Sequence, residues 1–105
     1  MALIYLNNLK DFECMIKVNT CIIDFYADWC GPCRAIAPLF EQYASQYPDV
    51  KFCKVNIDVA RDIAQSLGIR SIPTFHLYSD GVKQMEFCGA NRDKLNDMVL
   101  CAAFQ

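Results

Sequence analysis

Two cysteines, Cys30 and Cys33, bracket Gly31 and Pro32 in the stretch TCIIDFYADWCGPC at residues 20–33. Two thiols at this spacing can cycle between dithiol and disulfide without large backbone movement. The pattern predicts that Cys30 falls where an apolar strand ends and a helix begins. Pro32 suits a first helical turn, where its missing N–H is not needed. The open N–H groups of that turn, with the helix dipole, favour an anion. A thiolate at Cys30 gains from both, so its pKa should fall and its reactivity near neutral pH should rise. Cys33, one turn further in, is close enough to attack a mixed disulfide formed at Cys30. Two other readings stay open on the residues alone. A zinc site needs four ligands, usually two such pairs, yet there is no second C-x-x-C and His76 is the sole histidine. Two inert structural cysteines would leave the helix-start position unexplained.

A second chemical group lies six residues upstream. Asp24 sits between Ile22-Ile23 and Phe25-Tyr26, in a run that otherwise reads as a buried strand. A buried carboxylate is costly unless it is paired or kept neutral, so this position demands a reason.

The elements that must hold these groups follow from periodicity. ALIYL is a short apolar strand. Asn8 caps a helix with Leu9, Phe12 and Ile16 on one face. TCIIDFY, β-branched and aromatic, reads as a central buried strand. Ile36, Phe40, Tyr43 and Tyr47 recur at helical spacing from about Cys33 to Tyr47, and Pro48 stops the run. Pro38 lies inside that helix and should kink it. KFCKVNI is a third strand. Asp58 is then expected to cap a short helix with Ile63, Ala64 and Leu67 inward and Gly68 at its end. TFHLY alternates as a strand, SDG at 79–81 turns, and VKQMEFC returns as a hairpin partner. Asn91 opens a last helix through Leu95, Met98, Val99 and Ala102. The order β-α-β-α-β-α-β-β-α implies parallel pairing in its alternating part and an antiparallel edge from the hairpin.

Composition limits the function classes. A chain of 105 residues reads as one domain, and 54% hydrophobic residues argue against disorder. The net charge of −2, without a strong basic run, gives no reason to expect nucleic acid. No stretch is long enough to span a membrane, and the N-terminal apolar run of about five residues lacks the basic segment of a signal peptide. A cytoplasmic protein is the default expectation. The seven cysteines are an odd number, so a fully paired framework is impossible. Cys14, Cys21, Cys53 and Cys101 read as small core residues in a reducing compartment. Cys88, just before Gly89, is expected to be accessible and open to oxidation or intermolecular pairing.

DFYADWCGPCRAIAP resembles the active-site segment of thioredoxins, including the proline five residues beyond the second cysteine. The likeness covers the whole chain: KVNID resembles the family's third strand, SIPTF its cis-proline loop, and DG…CGAN its last hairpin. The resemblance implies one α/β thioredoxin domain over residues 1–105, with a central five-stranded mixed sheet flanked by four helices. It implies reduction of protein disulfides: Cys30 is the nucleophile, Cys33 resolves the mixed disulfide, and an NADPH-dependent thioredoxin reductase restores the dithiol. No bound cofactor or metal is implied beyond the redox-active Cys30–Cys33 disulfide. Family targets include peroxiredoxins, methionine sulfoxide reductases and ribonucleotide reductase, and a monomer is expected.

The resemblance also assigns supporting residues. Asp24 is similar to the family's buried acid beneath the cysteines; desolvation and the thiolate raise its pKa, so it can take the Cys33 proton during resolution and return it in reverse. A strand-edge aspartate bonded to a turn is the plainer reading. Lys54 resembles a lysine that lies near that acid, and a solvated surface role stands beside it. Pro73 fits the cis-proline facing the cysteines, with Ile72-Pro73 offering backbone groups to an extended client. Trp29, Gly31, Pro32, Ile72 and Gly89 would form a mostly apolar client surface. Asp58 would hydrogen-bond the Trp29 indole or simply cap its helix, Pro38 is structural, and His76 is an ordinary strand histidine. Tyr26 stands where many family members carry a second tryptophan, which should change packing or fluorescence more than mechanism. An oxidase or isomerase domain of the protein disulfide isomerase type shares the fold, but its C-x-x-C usually encloses Gly-His, and no signal or retention motif is seen. A non-enzymatic binding module would not need both cysteines, Asp24 and Pro73 together.

Overall fold

The computed structural model of the protein describes residues 2–105. Nine elements follow in the expected order: β1 (Leu3–Tyr5), α1 (Leu9–Val18), β2 (Cys21–Tyr26), α2 (Gly31–Gln46), β3 (Lys51–Asn56), α3 (Arg61–Leu67), β4 (Thr74–Ser79), β5 (Val82–Cys88) and α4 (Arg92–Ala103). The strands form one five-stranded sheet in the order β1-β3-β2-β4-β5. β2 is central and parallel to β3, which is in turn parallel to β1.

Helices cover both faces. Ile22, Phe52, Phe75 and Leu77 of the sheet pack with Ile36, Phe40 and Ala44 of α2 and with Leu95, Met98 and Val99 of α4. Phe40 meets both Phe52 and Phe75 at ring separations of 5.3 and 5.8 Å, and all three are fully buried. Burying one such side chain contributes about 2–3 kcal/mol. On the other face, Cys21, Ile23, Phe25 and Val55 pack with Phe12 and Ile16 of α1 and Ile63 of α3. Asp24 alternates with Ile23 and Phe25 and therefore shares the α2 side of the sheet with Ile22.

Local signals act as expected at several boundaries. The Asn8 and Asn91 side chains accept from the backbone N–H of Asp11 and Lys94, both at 2.9 Å, and so cap α1 and α4. β4 and β5 join through Asp80 and Gly81, both at positive φ (54° and 80°), the conformation of a two-residue hairpin turn.

The fold departs from the sequence reading in five places. First, β4 runs antiparallel to β2, so antiparallel pairing begins inside the sheet and not at its edge. α3 has seven residues and spans about 10 Å, roughly half a six-residue strand. β4 starts at the end where β2 finishes, with Thr74 opposite Phe25. Second, β4 does not alternate: Thr74 through Tyr78 are all buried, because β4 lies between β2 and β5 with helices on both faces. Third, α2 begins at Gly31, as the Cys30 junction and Pro32 imply but ahead of the periodic run from about Cys33, and it continues through Pro38 and ends at Gln46, one residue short of Tyr47. Fourth, Asp58 caps no helix; α3 has Ala60 at its N-cap and no side-chain cap bond. The turn before it is organised by Asn56, whose Oδ1 accepts from Asp58 N–H at 2.9 Å. Fifth, Cys14 and Cys101 are exposed while Cys21 and Cys53 are buried. Cys14 lies midway between the inward Phe12 and Ile16, on the opposite side of α1.

Candidate active site

The C-terminal end of β2 and the first turn of α2 bring the cysteines to one place. Cys30 is the N-cap of α2, in extended backbone, and its Sγ accepts from the Cys33 N–H at 3.2 Å. Cys30 and Cys33 are joined by a disulfide with a Cα separation of 5.3 Å, well inside the range such a bond spans. With Ala27 they form a small buried cluster against Tyr26, Ile57 and Ile72. Among the described residues no group of three or more His, Cys, Asp or Glu side chains comes together to hold a metal.

Asp24 lies on β2, the strand that leads into the Cys30 loop. Its side chain is 1% exposed, and neither carboxyl oxygen has a hydrogen-bond partner among the described residues. It sits opposite Lys54 in the β2–β3 register, with Lys54 Nζ 3.7 Å from Oδ2. Burial pushes the Asp24 carboxyl up to about 6, against the pull of the Lys54 ammonium. Lys54 is thus no solvated surface lysine: its side chain is 11% exposed, and Nζ also lies 4.3 Å from the centre of the Tyr26 ring. A cleft of about 380 Å³ opens beside these groups, lined by Tyr5, Tyr26, Asp28, Cys33, Arg34 and Lys54 among others. It gives Cys33 and Lys54 a common wall.

The residues expected around the cysteines gather there. Trp29 is 67% exposed, and its indole Nε1 donates to Asp58 Oδ2 at 2.9 Å. Gly31 and Pro32 are exposed beside it. The Ile72–Pro73 bond is cis, and the Ile72 carbonyl oxygen lies 3.9 Å from Cys30 Sγ. Pro73 itself is buried, and its carbonyl accepts from Gly89 N–H at 2.8 Å, so it is not free for a client as expected. Among the described residues no backbone bond engages the Ile72 N–H or C=O, which leaves that residue as the open backbone edge. Gly89 holds φ at +94°, a conformation that favours glycine. Cys88 is exposed, with Sγ 3.3 Å from Thr74 Oγ1. His76 is buried, bonded through Nδ1 to the Tyr78 hydroxyl at 3.1 Å, with Nε2 3.5 Å from Glu86. Burial pushes its imidazole down to about 4.

Three contributors were not anticipated. Tyr26 faces Lys54 and not merely its packing neighbours. Arg34 Nη1 donates to the Asp28 carbonyl at 2.7 Å, tying the strand–helix loop to α2. Thr74 Oγ1 donates to the Ser71 carbonyl and so braces the loop that carries Pro73. Only the tyrosine carried a sequence signal, its place two residues from the acid in TCIIDFYADWC; the other two bonds depend on how the loops close.

Known proteins agree with this geometry. Residues 4–100 match the domain family described as Thioredoxin. The chain is 39% identical over 95 residues to the thioredoxin of Gallus gallus, covering 88% of this chain and 90% of that protein. It is 41% identical over 95 residues to Thioredoxin-2 of Pyricularia oryzae, covering 90% of this chain and 56% of that protein's length. A solved structure from work on thiol resolution in yeast mitochondrial 1-Cys peroxiredoxin via glutathione/thioredoxin systems superposes with a TM-score of 0.89 at 37% identity, over 94% of each chain. Protein thiol–disulfide exchange through the Cys30–Cys33 pair is the activity that accompanies this match and this site. The chain belongs to the thioredoxin family.

Proposed function

We propose that this chain, as a single domain, carries electrons from an NADPH-dependent thioredoxin reductase to disulfide-bonded clients, with each site residue in a distinct role. The Cys30 thiolate, favoured by the start of α2, attacks one sulfur of the client disulfide. A Cys30–client disulfide forms and the first client thiolate leaves. Asp24, as carboxylate, takes the Cys33 proton, and the Cys33 thiolate attacks Cys30 Sγ. The second client thiolate leaves, the Cys30–Cys33 disulfide forms, and the client has gained two electrons. The reductase returns the pair to the dithiol.

The observation that carries this reading is the disulfide at the first turn of α2, with Cys33 sharing a cleft with the lysine that meets the buried Asp24 carboxyl on the strand leading into that turn. Trp29, Gly31, Pro32, Ile72 and Gly89 supply the client surface; Asp58 steadies Trp29, and the Ile72 backbone accepts an extended segment by strand addition. A peroxiredoxin is a fitting client, given the yeast system in which a similar chain was studied. Five free cysteines suit a reducing compartment, and we assign the protein to the cytoplasm as a monomer. No described helix is long and apolar enough to cross a membrane.

Insulin reduction followed through NADPH oxidation, with a thioredoxin reductase present, tests the reading. Parent protein should turn over and Cys30→Ser should not. Full turnover by Cys30→Ser would sink the mechanism.

A further inference from the structure

The Lys54 ammonium stands between two partners, 3.7 Å from Asp24 Oδ2 and 4.3 Å from the centre of the Tyr26 ring. We propose that Tyr26 is a positioning residue: its ring face holds the Lys54 ammonium beside Asp24 and thereby sets how readily that acid takes a proton.

Register makes the arrangement possible. Asp24 and Tyr26 are two residues apart on β2 and project to the same side, and Lys54 lies directly opposite Asp24 on β3. Lys54 is therefore the diagonal neighbour of Tyr26, within reach of a long side chain. A lysine stem has four rotatable carbons and no intrinsic reason to stay over a buried acid. The cleft beside it offers an alternative, because Asp28 lines the same wall and is exposed. An aromatic face attracts an ammonium, most strongly where water is partly excluded, and so opposes that swing. The Tyr26 phenol can do this without adding charge of its own, since burial pushes its titration up from the ordinary value.

The charged and titratable groups around this point come from each packed element: Asp24 and Tyr26 from β2, Lys54 from β3, Tyr5 from β1, Asp28 from the loop, and Cys33 and Arg34 from α2. Lys54 is the cation in contact with Asp24. Arg34 is engaged with the Asp28 carbonyl. Moving the Lys54 ammonium away removes the cation whose attraction opposes the effect of burial on the acid.

The catalytic consequence rests on the reading of Asp24 as the acceptor of the Cys33 proton, but the positioning is measurable on Asp24 alone. The test is titration of the Asp24 carboxyl carbon by NMR in the oxidised protein, for parent, Tyr26→Leu, Tyr26→Trp, Lys54→Met and the Tyr26→Leu/Lys54→Met pair. Tyr26→Leu should raise the Asp24 midpoint by about one pH unit, the low end of what a close opposite charge confers. Tyr26→Trp, which keeps a ring, should restore the parent midpoint. On the Lys54→Met background, Tyr26→Leu should add no further rise, since the ring acts through the lysine. An unmoved midpoint in Tyr26→Leu, or an equal rise with and without Lys54, overturns the proposal. Should Tyr26→Leu fail to fold, Tyr26→Ser with Tyr26→Trp as its rescue gives the same comparison. The pH profile of mixed-disulfide resolution is recorded alongside. A midpoint that moves as expected while that profile stays fixed upholds the positioning by Tyr26 and removes Asp24 from the proton transfer.

Discussion

Replacing Asp24 by Asn should stabilise the protein, and only above a defined pH. The folded carboxyl titrates at about 6, against an ordinary value of 3.8, because burial penalises the carboxylate more than Lys54 rewards it. Between those two pH values the folded chain holds a proton that the unfolded chain has lost. Stability therefore falls as pH rises through this window, and the penalty is complete above about pH 6. A rise of about two pH units, at about 1.4 kcal/mol each, amounts to about 3 kcal/mol. Asn is nearly isosteric with the neutral acid and never ionises. Below about pH 4 the variant and parent should be equally stable; above about pH 6 the variant should lead by about 3 kcal/mol. Urea unfolding of both oxidised proteins across this range, at constant ionic strength, reads the difference directly. The oxidised state is chosen because Cys30 and Cys33 are bonded there and add no thiolate. His76 titrates in the same range with the opposite sign: its folded pKa, pushed down to about 4, adds stability that is lost as the medium is acidified. It is common to both proteins and cancels in the difference. A variant-minus-parent gap that stays constant from pH 4 to 7 would refute the electrostatic account of Asp24 and leave it a packing residue.

Other outcomes follow from the same geometry. Cys33→Ser should accumulate mixed disulfides with clients, visible as thiol-sensitive adducts on gels, with turnover reduced at least about a hundredfold for want of the intramolecular step. In the native oxidised protein, a maleimide should label Cys14, Cys88 and Cys101 and spare Cys21 and Cys53 until denaturant is added, since only the first three are exposed; mild peroxide followed by mass spectrometry should likewise modify Cys88, and an untouched Cys88 would contradict its exposure. Asp58→Ala should free the indole of the single tryptophan, lowering its fluorescence anisotropy while costing no more than about 1 kcal/mol, because the bond is solvent-exposed. Asn91→Ala removes the cap of α4 and should lower stability by about 1 kcal/mol in thermal unfolding, without changing the titration of Asp24.

The redox pair and most elements were legible because their signals are local. Cys-Gly-Pro-Cys at a strand-to-helix junction, an Asn before each of two helices, and Asp-Gly between two strands act within a few residues of themselves. The two helix caps and the hairpin turn accordingly stand where the residues place them. Asp24 was legible as an anomaly for the same reason, an acid inside a continuous apolar run. What it faces was not. Its lysine is thirty residues away and meets it only through the β2–β3 register, and the ring that holds the lysine joins by the same register. The Asp58 side chain is chemically able to cap a helix or to accept from an indole; the approach of Trp29 from 29 residues upstream decides between them. The direction of β4 rests on its pairing with β2, whose last residues meet its first, and the burial of both its faces on the strands and helices around it. By itself, then, the sequence determined the chemistry, the order of elements and their caps, which rest on neighbours along the chain. Strand direction, the partners of Asp24 and the exposure of each cysteine rest on contacts between distant segments, and these exist only once the tertiary structure has formed.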